Sequence, residues 1–379
     1  MTTNRIGILF NNNGTFGSPW RSGSDKLMNN SGHNIGNFAF WRAADILIDQ
    51  PKVKIEYGAK PAFFKGKIDR LVIPASSFLR EGSNFGWLAD FIEELDLPCA
   101  ILGIGAPSDD TKYIPKLSDG TKRFLNSVSK RTPFLGVRGE FTKLVCKNYG
   151  VNNTEVMGCP SILLNPSRDL GKQIEARWHK NPTRIAVHAA YIKEKARNIE
   201  RRLFELLLLQ PGSAYIIQRP VEMIKAVFGE VLEDAEQEYL AKSAAFLDPD
   251  ATLEQYIEKL RRFSYIPHSI DSWIAYLMHF SHALGTRIHG TILSLNSGIP
   301  AICVHHDART KELCDSLHVP TMGTEEMNTS RNSLRQIFEY VRIRGDEFDE
   351  NRIRLARRNR ELLSELGIQT SIHLNQLAE

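Results

Sequence analysis

The sequence lacks long hydrophobic runs. No segment of its 379 residues approaches the ~18 consecutive apolar residues of a membrane span, and the apolar stretch at residues 6–10 is too short for the core of a signal peptide. With 42% hydrophobic residues the chain can still bury a sizeable core, and its length corresponds to about two to three domains. We therefore expect a globular protein that stays in the cytoplasm.

An excess of charge of one sign is also missing. The chain has 48 Lys and Arg against 44 Asp and Glu, a formal net charge of +4, and no run of like charges that resembles a nucleic-acid-binding arm. Its five cysteines are odd in number, and none is spaced as Cys-x-x-Cys. These features argue against wholesale nucleic-acid binding, a disulfide framework and a structural zinc site, and favour reduced, buried thiols.

Familiar catalytic motifs are absent as well. The sequence contains neither Gly-x-Ser-x-Gly nor a P-loop, and the pair Gly103 and Gly105 lacks the third glycine of a dinucleotide fingerprint. Asp248-Pro249-Asp250 resembles a cation-binding Asp-x-Asp, but Asp250 is better explained as the N-cap of a helix over 251–262. The adjacent His305 and His306 would point to opposite sides of a strand end, so a loop facing a cleft is the better interpretation. We expect no metal and no cofactor.

What is present is a regular alternation of short apolar runs with amphipathic stretches, which predicts an α/β fold. One predicted helix starts at Asn34 as N-cap, and another, 140–149, ends before Gly150. The pattern breaks between Leu164 and Arg184 and then starts again. We predict two Rossmann-like domains facing a central cleft, residues 1–166 and 167–330, with closing helices over 331–379. The predicted strands are 6–10, 53–56, 71–74, 100–104, 134–137, 184–190, 214–218, 263–266, 283–285 and 301–304.

Ligands of open parallel sheets bind beyond the carboxyl ends of the strands, so the loops from strand to helix are where a site is expected. One such loop carries Arg287 and His289 at a predicted helix N-terminus, where phosphate or carboxylate binds well. Both side chains can meet one ligand only if Arg287 precedes the helix. An arginine paired with a nearby acid and a buried core histidine would explain the same residues.

Arg138 occupies a similar position at the end of another predicted strand, although a simple charge neighbour of Glu140 is the favoured explanation from sequence alone. The polar loop over residues 11–33 is unusually long and rich in glycine, which is typical of loops over a binding cleft. Disorder is its alternative, but Phe16 and Trp20 weigh against it.

Taken together, these segments resemble the polysaccharide pyruvyl transferase family. The resemblance spans most of the chain, and its most specific part is the Arg-x-His-Gly element. The segments that carry it are Gly285-Thr-Arg-Ile-His-Gly290, Gly298-Ile-Pro-Ala301, Gly136-Val-Arg-Gly139, Gly158-Cys-Pro-Ser-Ile-Leu-Leu164, Asn34-Ile-Gly-Asn37 and Gly103-Ile-Gly105. The resemblance implies a fold similar to the two-domain GT-B glycosyltransferases. It also implies transfer of pyruvate from phosphoenolpyruvate, as a ketal, to two hydroxyls of a sugar in a surface glycan or its lipid-linked precursor.

Two positions depart from the family pattern, because Asn37 and Cys159 stand where the family usually has an acid. Within this interpretation the donor anions are bound by Arg138, Arg287, Thr286 and Gly290. The acceptor side, or a loop that faces the cleft, is formed by Asn34, Asn37, Gly103 and Gly105. His289 is the expected general acid, assisted by Arg287, since histidine carries protons near neutral pH and a neighbouring phosphate favours its protonated form. Phosphoenolpyruvate is a co-substrate here.

Two other functions remain open. The same cleft could bind the diphosphate of a nucleotide sugar in a glycosyltransferase, or the chain could be a glycan-binding relative without activity. The arginines at 352, 354, 357, 358 and 360 in the last predicted helix either form a solvated face or hold the protein at an anionic membrane surface, where a lipid-linked acceptor would lie. The solvated face is favoured, and the oligomeric state is left open.

Overall fold

A computed structural model describes residues 4–108, 113–190, 192–328 and 333–379. The strands before residue 157 form a parallel sheet in the order β2-β1-β3-β4, and β5 pairs with β6. A parallel bridge between Ile104 and Val137 brings this pair beside β4. The strands are β1 (Ile6–Leu9), β2 (Lys52–Ile55), β3 (Arg70–Pro74), β4 (Cys99–Leu102), β5 (Leu135–Val137) and β6 (Thr154–Val156).

The strands after residue 184 form a second parallel sheet in the order β12-β11-β10-β7-β8-β9. Nearly continuous apolar sequence is what a parallel sheet covered on both faces requires. Three of these six strands, β7, β8 and β10, are fully buried, and β11 is buried except at its last residue. The predicted α/β class with two Rossmann-like units is confirmed. The strands are β7 (Ile185–His188), β8 (Ala214–Ile216), β9 (Ser264–Tyr265), β10 (His282–Gly285), β11 (Ala301–His305) and β12 (Thr321–Gly323).

Helices cover both sheets. In the first half they are α1 (Pro19–Ser22), α2 (Ser24–Asn30), α3 (Asn37–Ile46), α4 (Gly86–Leu95), α5 (Asp119–Ser129), α6 (Glu140–Asn148) and α7 (Leu170–Trp178). They continue as α8 (Arg197–Leu209), α9 (Val221–Phe228), α10 (Asp234–Leu247), α11 (Leu253–Phe263), α12 (Ile270–Leu277), α13 (Ile288–Asn296), α14 (Ala308–Leu317) and α15 (Thr324–Asn328). The chain closes with α16 (Leu334–Tyr340), α17 (Gly345–Glu365) and α18 (Ile372–Ala378). Short 3-10 turns lie at Pro61–Phe63, Pro160–Leu163 and Glu194–Ala196.

Two predicted helix starts are wrong. Asn34 does not cap α3; its side-chain oxygen accepts the N–H of Gly36 at 3.2 Å in a turn, and Gly36 is the N-cap. Asp250 does not cap α11. The N-cap is Thr252, two residues after Asp250, and it forms a capping box with Gln255. α6 ends at Asn148, one residue earlier than predicted, and Gly150 follows the C-cap Tyr149 with φ +80, as predicted for a glycine at this position.

Two arginines of α17 have partners within the protein. Arg352 is fully buried and donates to the carbonyl oxygens of Ile162, Asn165 and Ser167, in the segment that connects the two sheets. Arg358 pairs with Glu155. For Arg352 both interpretations, the solvated face and the membrane surface, are therefore wrong, since its guanidinium is buried where the connecting segment packs on α17. Among the described residues, no helix is long and apolar enough to cross a bilayer.

Candidate active site

The carboxyl ends of strands from both sheets surround a cavity of about 580 Å³. Its walls come from the loops after β1, β2, β3, β5, β8, β10 and β11, as expected for parallel sheets. Among the described residues, no Asp or Glu lines it. The basic residues of the wall are five arginines and three histidines: Arg80, Arg138, Arg219, Arg287, Arg309, His33, His289 and His306. Such a wall favours an anionic ligand.

The long loop over 11–33 is ordered by two short helices, α1 and α2, and its first and last parts reach the cavity through Asn11, Gly32 and His33. Phe16 is buried, whereas Trp20 is 64% exposed and packs edge-on against His268. The two ends of this loop therefore lie at the cavity, and its middle part does not line it.

Arg138 enters the cavity at the end of β5. Its Nε donates to the carbonyl oxygen of Gly103 at 2.9 Å, and its Nη2 to that of Ala75 at 3.4 Å. Burial lowers the pKa of its guanidinium, which nevertheless stays a cation at neutral pH. Glu140 lies at the exposed start of α6, so the interpretation of Arg138 as its charge neighbour is not supported.

Gly103 and Gly105 support Arg138 instead of forming an acceptor wall. A Cβ on Gly105 would lie 2.7 Å from Cδ of Arg138, and Gly103 has φ +75, which favours glycine. Both residues lie behind the arginine. Their predicted contact with the acceptor is therefore corrected to one of making room for the Arg138 side chain.

Arg287 is the N-cap of α13, so it precedes the helix as convergence with His289 requires. Its Nε donates to the carbonyl oxygen of Ala189 at 3.2 Å and its Nη2 to that of Ala190 at 2.5 Å. The hydroxyl of Thr286 donates to the buried carboxylate of Glu200 at 2.6 Å. Thr286 lines the cavity, but its hydroxyl proton is engaged behind the wall and is not offered to a donor substrate.

Gly290 is placed differently from its predicted role in donor binding. A Cβ there would lie 2.3 Å from Cγ of His188, so the glycine lets α13 approach this buried histidine. The Nε2 of His188 is 2.9 Å from the hydroxyl of Ser294, and burial lowers the pKa of His188 to about 3. Gly290 is thus a packing residue.

His289, the second residue of α13, lines the cavity and is 7% exposed. Its Nε2 is 3.7 Å from Sγ of Cys159, whose sulfur is 3.0 Å from the hydroxyl of Ser161. Burial, with the charges of Arg138 and Arg309, lowers the pKa of His289 to about 3. In the absence of a bound anion the ring is therefore neutral at pH 7 and lacks the second ring proton, which a general acid would donate.

The neighbouring histidines at the end of β11 diverge, as predicted. Nδ1 of His305 lies 3.0 Å from the hydroxyl of Thr321, while His306 lines the cavity. Burial lowers the pKa of His306 to about 4, although Asp307 lies 3.5 Å away. Across residues 4–108, 113–190, 192–328 and 333–379, no cluster of three or more His, Cys, Asp or Glu could hold a metal ion.

Asn34 and Asn37 both line the cavity, where the sequence placed them. Nδ2 of Asn37 donates to the carbonyl oxygen of Ser31 at 2.9 Å, which ties the end of the long loop to α3. A Cβ on Gly36 would lie 2.5 Å from Oε1 of Gln218 and 3.1 Å from Nδ1 of His289. The glycine thereby allows the start of α3 to meet the opposite wall.

Sequence reasoning missed Arg80, Arg219 and Arg309. Arg219 and Arg309 follow predicted strands, so the rule that located Arg138 and Arg287 would also have found them. Arg309 reaches across the cleft to the hydroxyl of Ser77 at 3.4 Å. The cavity is consequently closed on one side by a contact between the two halves.

The chain is similar to the MnaA–UDP co-structure from S. aureus (11% identity, 97% of this chain and 99% of that chain, TM-score 0.46). It is also similar to UDP-GlcNAc 2-epimerase from Methanocaldococcus jannaschii (12% identity, 91% and 98%, TM-score 0.42). A functionally uncharacterized protein from Klebsiella pneumoniae is 12% identical over 84% of this chain and 92% of that chain, with a TM-score of 0.37.

No curated protein matches the sequence significantly. The model of the polysaccharide pyruvyl transferase family, in contrast, matches residues 31–307, which is more than half of the chain. The matched range includes Asn34, Arg138, Arg287 and His289, which the fold brings to one cavity. The chain therefore belongs to the polysaccharide pyruvyl transferase family.

Proposed function

We propose that this protein transfers the pyruvate unit of phosphoenolpyruvate to two hydroxyls of a sugar, forming a ketal and releasing phosphate. The observation that carries this proposal is the cavity wall, which has five arginines and, among the described residues, no carboxylate. Phosphoenolpyruvate brings a carboxylate and a phosphate close together, and planar guanidinium groups bind both with paired hydrogen bonds.

The donor is assigned to the side of the cavity where arginines from both halves face each other. Arg138 comes from the first half, and Arg219, Arg287 and Arg309 come from the second. The N-terminus of α13 adds backbone N–H groups and the positive end of its dipole. A small ligand with both a carboxylate and a phosphate would account for this convergence of arginines.

The proposed reaction needs no net proton from solvent. Protonation of the enol C3 of phosphoenolpyruvate makes a methyl group and a cation at C2, which the first sugar hydroxyl attacks as it loses its proton. The C2–O bond to phosphate then breaks, and the second hydroxyl attacks C2 and loses its own proton. One hydroxyl proton balances the new methyl group, and the other leaves with phosphate.

His289 is our candidate for delivering the proton to C3. Its low pKa in the free site results from burial and from the positive charges of Arg138 and Arg309. Because a bound phosphate and carboxylate would offset these charges, the donor itself would raise the pKa of His289. Protonation of the acid would then accompany binding of the donor.

We assign the acceptor to the wall formed by the first half. Tyr57, Phe78 and Phe85 line this part of the cavity, and the rings of Phe78 and Phe85 stack at 4.4 Å. Flat aromatic surface suits the apolar face of a sugar ring, while Asn34 and Asn37 offer polar groups nearby. On this proposal the acceptor is a sugar, free or lipid-linked, and the reaction takes place in the cytoplasm.

Calorimetry with phosphoenolpyruvate and with UDP tests the donor, and phosphate release with a panel of galactosides, mannosides and N-acetylhexosamines tests the reaction. We expect phosphoenolpyruvate to bind, Arg287→Ala to weaken it, and Arg335→Ala to leave it unchanged, since Arg335 pairs with Glu339 on an exposed helix face. Binding of UDP without phosphoenolpyruvate would favour a glycosyltransferase. Binding of phosphoenolpyruvate without phosphate release across the panel would favour a glycan-binding relative.

A further inference from the structure

Glu200 is a fully buried carboxylate in the first turn of α8, one turn before Leu203 and Phe204 of the core. Taking a charged group out of water is costly unless it is paired and hydrogen-bonded. A carboxylate in this place therefore needs polar partners, and those partners indicate what it does.

The two oxygens of Glu200 accept hydrogen bonds from two different loops. Oε1 accepts from the hydroxyl of Thr286, after β10, at 2.6 Å, and Oε2 accepts from the backbone N–H of Ala190, after β7, at 2.9 Å. Ala190 has φ +72, a left-handed conformation that side chains other than glycine rarely adopt. The carboxylate fixes this turn from behind.

The same two loops determine the position of Arg287. Its guanidinium donates to the carbonyl oxygens of Ala189 and Ala190, and Thr286 is the residue immediately before it in the chain. Glu200 thus holds the loop of Ala189 and Ala190, whose carbonyl oxygens orient the guanidinium of Arg287. Through Thr286 it also holds the backbone next to Arg287. Glu200 is not among the residues that line the cavity.

We propose that Glu200 is the positioning residue for Arg287, keeping its guanidinium turned into the cavity for an anionic substrate. This inference rests on the proposed function only for the identity of that anion. It predicts that loss of the Glu200 carboxylate weakens anion binding only while Arg287 is present.

The test is a double-mutant cycle on affinity, measured by calorimetry with phosphoenolpyruvate and, in parallel, with UDP. Glu200→Gln keeps an acceptor for Thr286 but places an amide against the N–H of Ala190, so we expect at least a tenfold loss of affinity. In an Arg287→Ala background the same change should cost less than twofold. If Glu200→Gln lowers the affinity by the same factor with and without Arg287, the role of Glu200 is a general structural one and the proposal is overturned.

Thr286 offers a second test that survives if Glu200→Gln fails to fold. Thr286→Val removes the hydroxyl at nearly constant volume and should weaken binding severalfold, while Thr286→Ser should restore it. Thr291→Val is the matched control, because Thr291 is buried on α13 and its hydroxyl has no hydrogen-bond partner among the described residues. Normal affinity in Thr286→Val, with a folded protein, would contradict the proposal.

The outcomes separate this inference from the proposed function. Wild-type protein that binds UDP and not phosphoenolpyruvate overturns the proposed function, and the cycle is then decided with UDP. If the wild-type protein binds phosphoenolpyruvate, but Glu200→Gln and Arg287→Ala lower the affinity independently, only the role of Glu200 is overturned. Wild-type protein that binds neither anion overturns both.

Discussion

The pKa of His289 should depend on what stands at position 159. The Sγ of Cys159 lies 3.7 Å from Nε2 of His289 in a fully buried contact, and the resemblance to the family predicts an acid at this position. Cys159→Asp would place a carboxylate beside the ring without a large change in volume. A carboxylate favours the protonated form of a neighbouring imidazole, so the pKa of His289 should rise.

The size of this effect follows from Coulomb's law. Opposite unit charges ~4 Å apart interact by about 4 kcal/mol at an effective dielectric constant of about 20. At 1.36 kcal/mol for each pKa unit this corresponds to roughly three units, and part of the new charge will be taken up by Arg138 nearby. We expect the pKa of His289 to rise from about 3 to between about 5 and 6.

Nuclear magnetic resonance of ring-labelled histidines between pH 4 and 8 measures this pKa, and the signal lost in His289→Gln identifies the residue. Cys159→Asn is the matched control, since it has nearly the same shape as Asp without the charge and should leave the ring neutral above pH 5. The rate with saturating phosphoenolpyruvate should also persist to higher pH in Cys159→Asp. A folded Cys159→Asp protein in which His289 titrates as in Cys159→Asn would refute the reasoning.

Three further predictions follow from the same structure. Arg138→Ala and Arg287→Ala should each weaken binding of phosphoenolpyruvate by about tenfold or more, because each removes charge-assisted hydrogen bonds worth roughly 1.5–3 kcal/mol; unchanged calorimetric affinity in both variants would contradict the donor assignment. Arg352→Met should lower the free energy of unfolding in urea by about 3 kcal/mol or more, since it leaves buried carbonyl oxygens without donors, whereas a loss below about 1 kcal/mol would speak against it. The protein should lose stability as the pH falls from about 6.5 towards 3, because His188 and His289 have pKa values near 3 when folded and bind protons more readily when unfolded. Each contributes up to about 1.4 kcal/mol per pH unit, and equal urea midpoints at pH 7.5 and pH 5 would contradict this.

The strands could be predicted from the sequence because buried parallel strands are short apolar runs, and β1, β3, β4 and β11 lie within one or two residues of their predicted bounds. The helix starts at Asn34 and Asp250 could not, since each residue competes with a neighbouring capping group and tertiary packing decides between them. Periodicity locates an element well, but its first residue depends on local hydrogen bonds.

At the site, the rule that ligands bind at the carboxyl ends of strands was enough to bring Arg138, Arg287 and His289 into one cavity. It could not distinguish residues that face the ligand from those that support them. Gly105 and Gly290 have the sequence context of ligand contacts, yet they make room for Arg138 and His188. That distinction depends on side-chain packing between segments far apart in the chain.

In the proposed reaction, the positive charge of the cavity links binding of the donor to the protonation state of His289. Arg138 and Arg309 lower the pKa of His289 in the free site, and in the proposed reaction they also bind the donor anions. Before the donor arrives, an unneutralised imidazolium beside two guanidinium groups would be unfavourable, so the ring stays neutral. Once the anions of phosphoenolpyruvate offset the guanidinium charges, His289 can accept a proton and then deliver it to C3 in the proposed reaction. Among the described residues the cavity wall has no carboxylate. A protonated His289 therefore has no carboxylate of the wall with which to form an ion pair, and its charge is stabilised by the bound donor in the proposed reaction.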